Sequence, residues 1–351
     1  MQVSACWGEL NSNQLFEESN SEFKTNTYYD LASLTKVILT SSLLVETCQR
    51  SHLPWDDFFA TPLSEWVDEL NGSVLERISI RQFWEHRSGL APHINIPEIL
   101  TKKDFSQLRS EDFSKTSRQA KWKNVLDLIL SSTNHLGDSA YSDLGFLLIG
   151  LGLERFYERN LDELWNSWKK DHSLRTDDLI FAKELSPKHH VCASEARHKS
   201  FEVNDDNAFY LDGVAPHAGL FGTAAGIAKW MSVIHEWVSK NDSMKKWIHQ
   251  DHDSADRFYY GWDRPQNPKE SHAGESYPAD LLGHLGYTGT ALWWTPSQSK
   301  FGVLLTNRVC PAANKENAKI IKNLRREFFS GLWQGTLKEK WQIPKIKSGS
   351  I

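Results

Sequence analysis

The stretch Tyr29-Asp30-Leu31-Ala32-Ser33-Leu34-Thr35-Lys36 carries the strongest indication of fold and chemistry in this sequence. A long helix is predicted from Ser33 to about Arg50, because the apolar residues after Lys36 repeat with the helical period. Lys36 lies one turn after Ser33 on the same helical face, so its amine can reach the Ser33 hydroxyl. This arrangement makes Ser33 a candidate nucleophile and Lys36 its candidate partner.

The Ser-x-x-Lys spacing by itself does not identify a nucleophile, because it recurs along the chain. The pairs are Ser21/Lys24, Ser33/Lys36, Ser167/Lys170, Ser243/Lys246 and Ser297/Lys300. Only Ser33 heads a long apolar helix, where its own N–H points outward and the helix dipole favours a developing negative charge. In the alternative interpretation Ser33 caps the helix and Lys36 is exposed to solvent. The residues alone leave both interpretations open.

Length and composition narrow the class of protein. The chain has 351 residues, of which 40% are apolar and 24% charged, as in a globular protein with a sizeable core and two subdomains. Its net charge of −5 and the lack of a basic tract disfavour nucleic acid and anionic membrane surfaces as partners. The longest apolar run, Leu144 to Leu153, is half the length of a membrane span, so none is expected.

The order of the predicted elements indicates an α+β fold. A hairpin is predicted around Asn11-Ser12-Asn13, and helical periodicity dominates from Ser33 to about residue 200. Strands are then predicted at Phe258 to Trp262, Ala291 to Thr295 and Phe301 to Thr306. We therefore expect an α/β sandwich whose antiparallel sheet is built from both chain ends (1–32 and 205–351). An all-helical subdomain (33–204) is inserted, with the active site at the interface.

The Ser33 stretch and four further segments, in order along the chain, resemble the class C β-lactamase-like and penicillin-binding-protein-like serine hydrolases. The four are Ile78-Ser79-Ile80-Arg81-Gln82 with His86-Arg87-Ser88-Gly89-Leu90, Tyr141-Ser142-Asp143-Leu144-Gly145, His217-Ala218-Gly219-Leu220-Phe221, and His284-Leu285-Gly286-Tyr287-Thr288-Gly289-Thr290. The resemblance implies a β-lactamase/transpeptidase-like fold and acyl transfer through a covalent ester on Ser33, without cofactor or metal. The segments around His86 and His217 are expected to be scaffold rather than catalytic.

The segment Tyr141-Ser142-Asp143 is similar to the Tyr-x-Asn motif of this family. Beside Lys36, the pKa of Tyr141 is expected to be lowered, so that the phenol can act as base for Ser33 and acid for the leaving group. Asp143 stands where the family more often has asparagine, and its carboxylate favours the ammonium form of Lys36. This shifts the expected base toward Tyr141, although the choice between Lys36 and Tyr141 stays open. Asp143 is also expected to cap the following helix.

The segment His284-Leu285-Gly286 resembles the Lys-Thr-Gly motif of penicillin-recognising enzymes, which lies on an edge strand. Gly286 lets the acyl group approach the strand closely. The resemblance implies that the N–H groups of Ser33 and Tyr287 hold the oxyanion. His284 is expected to orient the substrate through a hydrogen bond or a partial positive charge. The alternative for His284 is a satisfied histidine on a surface strand.

Leu285 departs from the family pattern, because it lacks the hydroxyl of the threonine. One contact to a substrate carboxylate is therefore missing, a loss of roughly 1.5–3 kcal/mol. This disfavours efficient turnover of β-lactams or D-alanyl peptides and favours ester or amide substrates. Arg308 is the candidate to compensate for the missing contact.

We expect a serine hydrolase that acts on an ester or amide bond of a small-molecule or peptide substrate, as an esterase, β-lactamase or D-alanyl peptidase. The alternative is a catalytically impaired module that binds or senses peptidoglycan-derived ligands. The stretch Met1 to Leu10 shows no signal peptide. We therefore expect a cytoplasmic monomer, or a periplasmic or secreted protein if the true start lies upstream. The stretch Asn204-Asp205-Asp206-Asn207 is interpreted as a polar loop and helix cap. A metal site there, or at Asp251-His252-Asp253, would need further ligands that the sequence does not locate.

Overall fold

The computed structural model describes residues 1–12, 14–20, 24–103, 107, 113–193, 201–248, 256–310, 314–337 and 341–343. The strands are β1 (Val3–Glu9), β2 (Leu15–Ser19), β3 (Thr27–Asp30), β4 (Ile180–Phe181), β5 (His190–Val191), β6 (Leu220–Gly222), β7 (Phe258–Tyr259), β8 (Trp262–Asp263), β9 (Leu282–Leu285), β10 (Ala291–Thr295) and β11 (Lys300–Thr306). The helices are α1 (Ser42–Ser51), α2 (Trp55–Ala60), α3 (Ile80–Trp84), α4 (Ile96–Thr101), α5 (Arg118–Ser132), α6 (Asp143–Tyr157), α7 (Leu161–Asp171), α8 (Asp206–Tyr210), α9 (Ala224–Lys240), α10 (Asp242–Ile248) and α11 (Lys315–Trp333). A π-helical segment, Lys36–Ser41, directly precedes α1.

The large sheet joins the two ends of the chain, which confirms the predicted sheet. Its strands run in the order β2-β1-β11-β10-β9-β8-β7, and neighbouring strands are antiparallel. β1 pairs with β11 along its whole length, residues 3–9 opposite residues 306–300. Successive side chains of a strand point to opposite faces. Trp7 therefore packs against Phe328 of α11, whereas Cys6 faces the core shared with the helical part.

A smaller sheet positions the segment that leads into Ser33. Its strand order is β4-β6-β3-β5, with β3 antiparallel to β6 and parallel to β5. β4 and β5 lie within residues 33–204, so the stretch predicted to be helical also contributes two short strands.

The helix α6 lies at the centre of the helices within residues 33–204. Its sequence is apolar on nearly all sides and its residues from Leu144 to Glu154 are buried, as expected for a helix enclosed by other elements. α3, α5, α7 and the π-helical segment all contact it. The N-terminal end of α6 is thereby brought beside Lys36. In the described part of the chain, no helix combines the length and the apolar character that a membrane span requires.

A left-handed turn separates β3 from the helix that begins after Ser33. Ala32 has a φ of 47°, a region that residues with a Cβ seldom adopt. The Asp30 carboxylate holds this turn: one oxygen accepts the N–H of Ala32 at 2.8 Å and the other accepts the N–H of Asn204 at 2.7 Å. The helix then passes through the π-helical segment, a form often found at functional sites.

The turn between β9 and β10 is tied to the segment before Ser33. The Thr288 hydroxyl donates to the carbonyl oxygen of Asp30 at 2.7 Å, and the Thr290 hydroxyl donates to the carbonyl oxygen of Leu31 at 3.0 Å. Both threonines are buried. These two hydrogen bonds hold the end of β9 beside the start of the Ser33 helix.

Replacing Gly286 by alanine tests this connection. A Cβ on Gly286 would lie 2.0 Å from Thr290 Oγ1 and 2.7 Å from the Leu31 carbonyl oxygen, so the turn must move. We expect Gly286→Ala to lower the free energy of unfolding in urea by about 1–3 kcal/mol, the usual result of overpacking. Gly137→Ala is the matched control, because its Cβ would meet only an ordinary contact at 3.6 Å. Equal stability of the two variants would contradict the role given to this turn.

Candidate active site

Ser33 and Lys36 meet at the start of the long helix. Lys36 Nζ lies 3.0 Å from Ser33 Oγ. Lys36 is fully buried, so the alternative of a solvent-exposed lysine is wrong, whereas Ser33 is partly exposed. Among the Ser-x-x-Lys pairs whose two members are both described, only here does the amine bond to the hydroxyl.

Asp143 neutralises the buried amine of Lys36. Its Oδ1 lies 2.6 Å from Lys36 Nζ, which also donates to the carbonyl oxygen of His217 at 3.3 Å. Burial lowers the pKa of Lys36, but Asp143 and Tyr141 outweigh burial, and the pKa is raised above its ordinary value. Burial raises the pKa of Asp143, but the Lys36 ammonium outweighs it and leaves this pKa well below its ordinary value. At neutral pH the pair is therefore an ammonium and a carboxylate.

Tyr141 completes the group around the Ser33 hydroxyl. Lys36 Nζ lies 5.0 Å from the centre of the Tyr141 ring, and Lys36 and Ser33 both act to lower the pKa of the Tyr141 hydroxyl. Burial raises the pKa of Tyr141, Lys36 lowers it and Asp143 raises it, with a net increase. The expected lowering is therefore wrong for the resting protein, because burial and Asp143 together exceed the effect of Lys36.

The loop before α6 holds Tyr141 in place. Ser142 is the N-cap of α6, rather than Asp143 as expected, because the Ser142 hydroxyl accepts the N–H of Leu144 at 3.2 Å. The N–H of Ser142 donates to His86 Nδ1 at 3.0 Å, and the His86 ring lies 4.4 Å from the Tyr141 ring. His86 therefore supports Tyr141 directly, a contact that spacing along the chain does not indicate.

His284 faces the same group from β9. Its ring centre lies 5.9 Å from that of Tyr141, and the residue is 2% exposed, so the alternative of a surface histidine is wrong. Burial and the Lys36 ammonium lower the pKa of His284 to about 3. The imidazole is thus neutral at physiological pH, and the expected positive charge is wrong. His284 Nδ1 lies 2.9 Å from the Leu285 carbonyl oxygen, which assigns its proton to Nδ1 and leaves Nε2 as an acceptor.

Two backbone donors at this site have no acceptor among the described residues, namely the N–H groups of Ser33 and Tyr287. Ser33 stands at the beginning of its helix, and Tyr287 follows Gly286 at the end of β9. The hydrogen bonds from Thr288 and Thr290 bring these two backbone segments together. Paired N–H groups of this kind can hold a developing oxyanion.

Leu285 and Arg308 lie on the β9 side of the site. Leu285 packs against the apolar cluster under α11 and offers no hydroxyl. Arg308 Nε donates to the Tyr287 carbonyl oxygen at 2.5 Å, and its guanidinium lies 4.7 Å from the centre of the Tyr287 ring. Arg308 is therefore next to the predicted oxyanion donor, and its role toward a substrate carboxylate stays a prediction.

His93 contacts Asp143, and sequence reasoning missed it. His93 Nδ1 lies 3.3 Å from Asp143 Oδ2, and this hydrogen bond raises the pKa of His93 despite partial burial. No sequence motif surrounds His93, and fifty positions separate it from Asp143 along the chain. Only the folded chain brings the two together.

A cluster of possible metal ligands lies behind the site, formed by Asp143, Asp205 and His217, whose ligand atoms are within 4.8 Å of one another. Asp205 Oδ1 already lies 2.9 Å from His217 Nε2, and Lys36 pairs with Asp143. The Lys36 ammonium supplies the cation that these groups need, so we assign no metal to them. Asp205 also caps α8, as a polar loop would. The segment Asp251-His252-Asp253 lies outside the described residues.

If Ser33 acts as a nucleophile, the pH dependence of its hydrolysis rate should depend on the charge at position 143. The Asp143 carboxylate raises the pKa of both Lys36 and Tyr141, so Asp143→Asn should make the basic forms appear at lower pH. We expect the rising limb of kcat/KM against pH to move down by about 1 unit or more. Asp143→Glu keeps the charge and should leave the limb near its original position. A limb that stays in place in Asp143→Asn would show that this carboxylate does not control the proton acceptor.

Comparisons with known proteins identify the family and the fold of this chain. A family model described as Beta-lactamase matches residues 13–325. The chain is 26% identical over 318 residues to the N-acetylmuramyl-L-alanine amidase of Bacillus subtilis (strain 168), covering 82% of this chain and 69% of that protein. Its fold is similar to a class C beta lactamase from Rhodobacter sphaeroides (TM-score 0.61, 12% identity, 92% of this chain and 93% of that one). It is also similar to a penicillin-binding protein homolog from Caulobacter crescentus (TM-score 0.60, 13% identity, 88% and 86%). The chain thus has the β-lactamase/transpeptidase-like fold and belongs to the Beta-lactamase family of hydrolases.

Proposed function

We propose that this protein is a serine hydrolase of the class C β-lactamase-like type, which cleaves an ester or amide bond through an acyl-enzyme on Ser33. One observation carries the proposal: Lys36 Nζ lies 3.0 Å from Ser33 Oγ and 5.0 Å from the centre of the Tyr141 ring. A partly exposed hydroxyl next to a buried amine and a half-buried tyrosine is the arrangement of an activated nucleophile.

In the proposed reaction Ser33 Oγ attacks the substrate carbonyl carbon while its proton passes to Tyr141 in the phenolate form. Tyr141 then gives this proton to the leaving oxygen or nitrogen, which departs as an alcohol or amine. A water molecule next attacks the ester, its proton passes to Tyr141 and then to Ser33 Oγ, and the acid is released. Lys36 stays protonated and stabilises the phenolate, because Asp143 raises its pKa. The rate therefore rises with pH as Tyr141 ionises.

The negative charge on the substrate oxygen is held by the N–H groups of Ser33 and Tyr287. Fixed donors of this kind need no reorganisation when the charge develops, which makes them effective. His284 Nε2 is buried without a partner in the described part of the chain, and as an acceptor it can orient a donor group. His284 therefore acts in its neutral form.

The substrate is proposed to be a small molecule or peptide whose binding does not depend on a carboxylate beside the scissile bond. Leu285 supports this, because it offers no hydroxyl where the family motif has threonine. The Bacillus subtilis relative is named as an amidase of N-acetylmuramyl-L-alanine, which supports amides of this kind as candidates.

A second candidate function is a module that binds peptidoglycan-derived ligands without turnover. The raised pKa of Tyr141 favours it, because little phenolate is present at neutral pH. The measurements on Ser33 below separate the two functions. The monomeric state and the cellular compartment stay predictions.

Substitution of Ser33 tests the proposed function. We expect Ser33→Ala to hydrolyse p-nitrophenyl acetate no faster than buffer without protein does. The mass of a fluorophosphonate adduct should appear on the wild-type protein and be absent from the variant. Ser297→Ala, at an exposed serine of another Ser-x-x-Lys pair, is the control and should behave as wild type. Equal rates for wild type and Ser33→Ala would exclude the hydrolase and leave the binding module.

Restoring a hydroxyl at position 285 tests the proposed specificity. We expect Leu285→Thr to raise kcat/KM for nitrocefin about tenfold, since one charge-assisted hydrogen bond is worth roughly 1.5–3 kcal/mol. The rate with p-nitrophenyl acetate, which carries no carboxylate, should stay unchanged. A parallel change with both substrates would contradict the link between Leu285 and carboxylate recognition.

A further inference from the structure

Helix α11 carries a buried arginine, Arg325, that has no carboxylate partner among the described residues. Arg325 is 4% exposed. Its Nη2 donates to the carbonyl oxygens of Thr290 at 2.7 Å and Gly286 at 3.2 Å, and its Nη1 lies 3.3 Å from His272 Nδ1. Burial, with a contribution from Arg308, lowers the pKa of Arg325 to about 9, so the group is still cationic at neutral pH. A buried charge without a counter-ion is costly, and its position therefore calls for an explanation.

One of the two carbonyls that Arg325 contacts, that of Gly286, belongs to the peptide group whose N–H is that of Tyr287. The carbonyl oxygen of Gly286 also accepts the N–H of Gly289 at 3.0 Å, and the N–H of Gly286 donates to Thr290 at 2.8 Å. The N–H and the carbonyl oxygen of Gly286 thus both point toward the β9–β10 turn. In a planar trans peptide the N–H points opposite to the carbonyl. The Tyr287 N–H therefore points away from Arg325.

The Tyr287 N–H points toward the side of β9 that faces β8. The neighbouring strand β8 pairs with β9 only at Gly283, so no strand covers Tyr287 from this side in the described residues. The segment preceding Ser33 packs against the same turn, held by the Thr288 and Thr290 hydroxyls. The Tyr287 N–H, which has no acceptor among the described residues, therefore lies in the turn that contacts this segment.

We propose that Arg325 is a positioning residue of the oxyanion hole, which fixes and polarises the Gly286–Tyr287 peptide from behind. A cation on the carbonyl oxygen draws electrons toward that oxygen and makes the N–H at the other end of the peptide more positive. The developing oxyanion is then held by a stronger donor, although Arg325 touches neither the substrate nor the reacting atoms. The planar guanidinium suits this role, because one side chain reaches two carbonyls and an imidazole. This inference rests on the proposed function.

His272 supports this arrangement by remaining neutral. Burial and the adjacent Arg325 lower the pKa of His272 to about 4, so at physiological pH its Nδ1 can accept a hydrogen bond from Arg325. A protonated imidazole would repel the guanidinium. The three contacts of Arg325 are thus all to acceptors, which leaves its positive charge directed at the turn.

The test compares Arg325→Met, Arg325→Lys and the control Arg326→Met. Arg326 is the next residue of α11, but it bonds to Glu275 and to the carbonyls of Pro268 and Ser271 instead. With p-nitrophenyl acetate we expect Arg325→Met to lower kcat by roughly tenfold to a hundredfold, up to the effect of losing one oxyanion donor. KM should change little. The affinity for phenylboronic acid, which forms a tetrahedral adduct on the serine, should fall in parallel with kcat.

Arg325→Lys should lose an intermediate part of kcat, because it keeps the charge but not the fork of donors. If Arg325→Met does not fold, as judged by its melting temperature, Arg325→Lys serves as the test. Its kcat should fall while its KM changes little. A wild-type kcat in Arg325→Lys or Arg325→Met, or a loss seen equally in Arg326→Met, overturns the inference. A loss confined to KM overturns it as well. An inactive Ser33→Ala beside a fully active Arg325 variant rejects this inference alone, whereas an active Ser33→Ala rejects the proposed function.

Discussion

The buried ion pair between Lys36 and Asp143 is the interaction on which the site depends. An ammonium removed from water costs several kcal/mol unless a partner is close, and Asp143 Oδ1 at 2.6 Å is that partner. The pair requires the N-terminal end of α6 to lie against the helix that follows Ser33, and the two elements are in contact. The same geometry carries Tyr141 to the Ser33 hydroxyl, since Tyr141 and Asp143 belong to one rigid helix start.

The opposite wall of the site is built from backbone groups. Thr288 and Thr290 tie the β9–β10 turn to the segment before Ser33, and Arg325 binds the turn from the side of α11. Ser33 lies at the start of its helix and the N–H of Tyr287 lies in the β9–β10 turn. Hydrogen bonds, and not side-chain packing alone, join these two parts of the site. These hydrogen bonds fix the positions of the two N–H donors. Fixed positions matter because charge stabilisation declines when donors are misplaced.

Sequence reasoning predicted the elements whose cause is local. The apolar period after Lys36 indicated its helix, and the strand-like runs at both chain ends indicated the shared sheet, which β1 and β11 form. The sign of the pKa shift of Tyr141 could not be predicted in this way. It depends on how far burial and Asp143 outweigh Lys36, and distances across the fold decide that balance. The left-handed conformation of Ala32 was likewise not predicted, because the Asp30 carboxylate that holds the turn is itself bound by the N–H of Asn204, which is distant in the chain.

Sequence patterns were enough to identify the chemical groups of the site: a hydroxyl and an amine one helical turn apart, a tyrosine and a carboxylate at a second helix start, and a glycine at the end of a strand. Helical and strand periods are short-range properties, so they can be read from neighbouring residues. The protonation states, the cap at Ser142, and the contacts of His93 and Arg325 became known only from the folded chain. Those properties arise from burial and from charges brought together by residues far apart in the chain, and no local pattern encodes such distances.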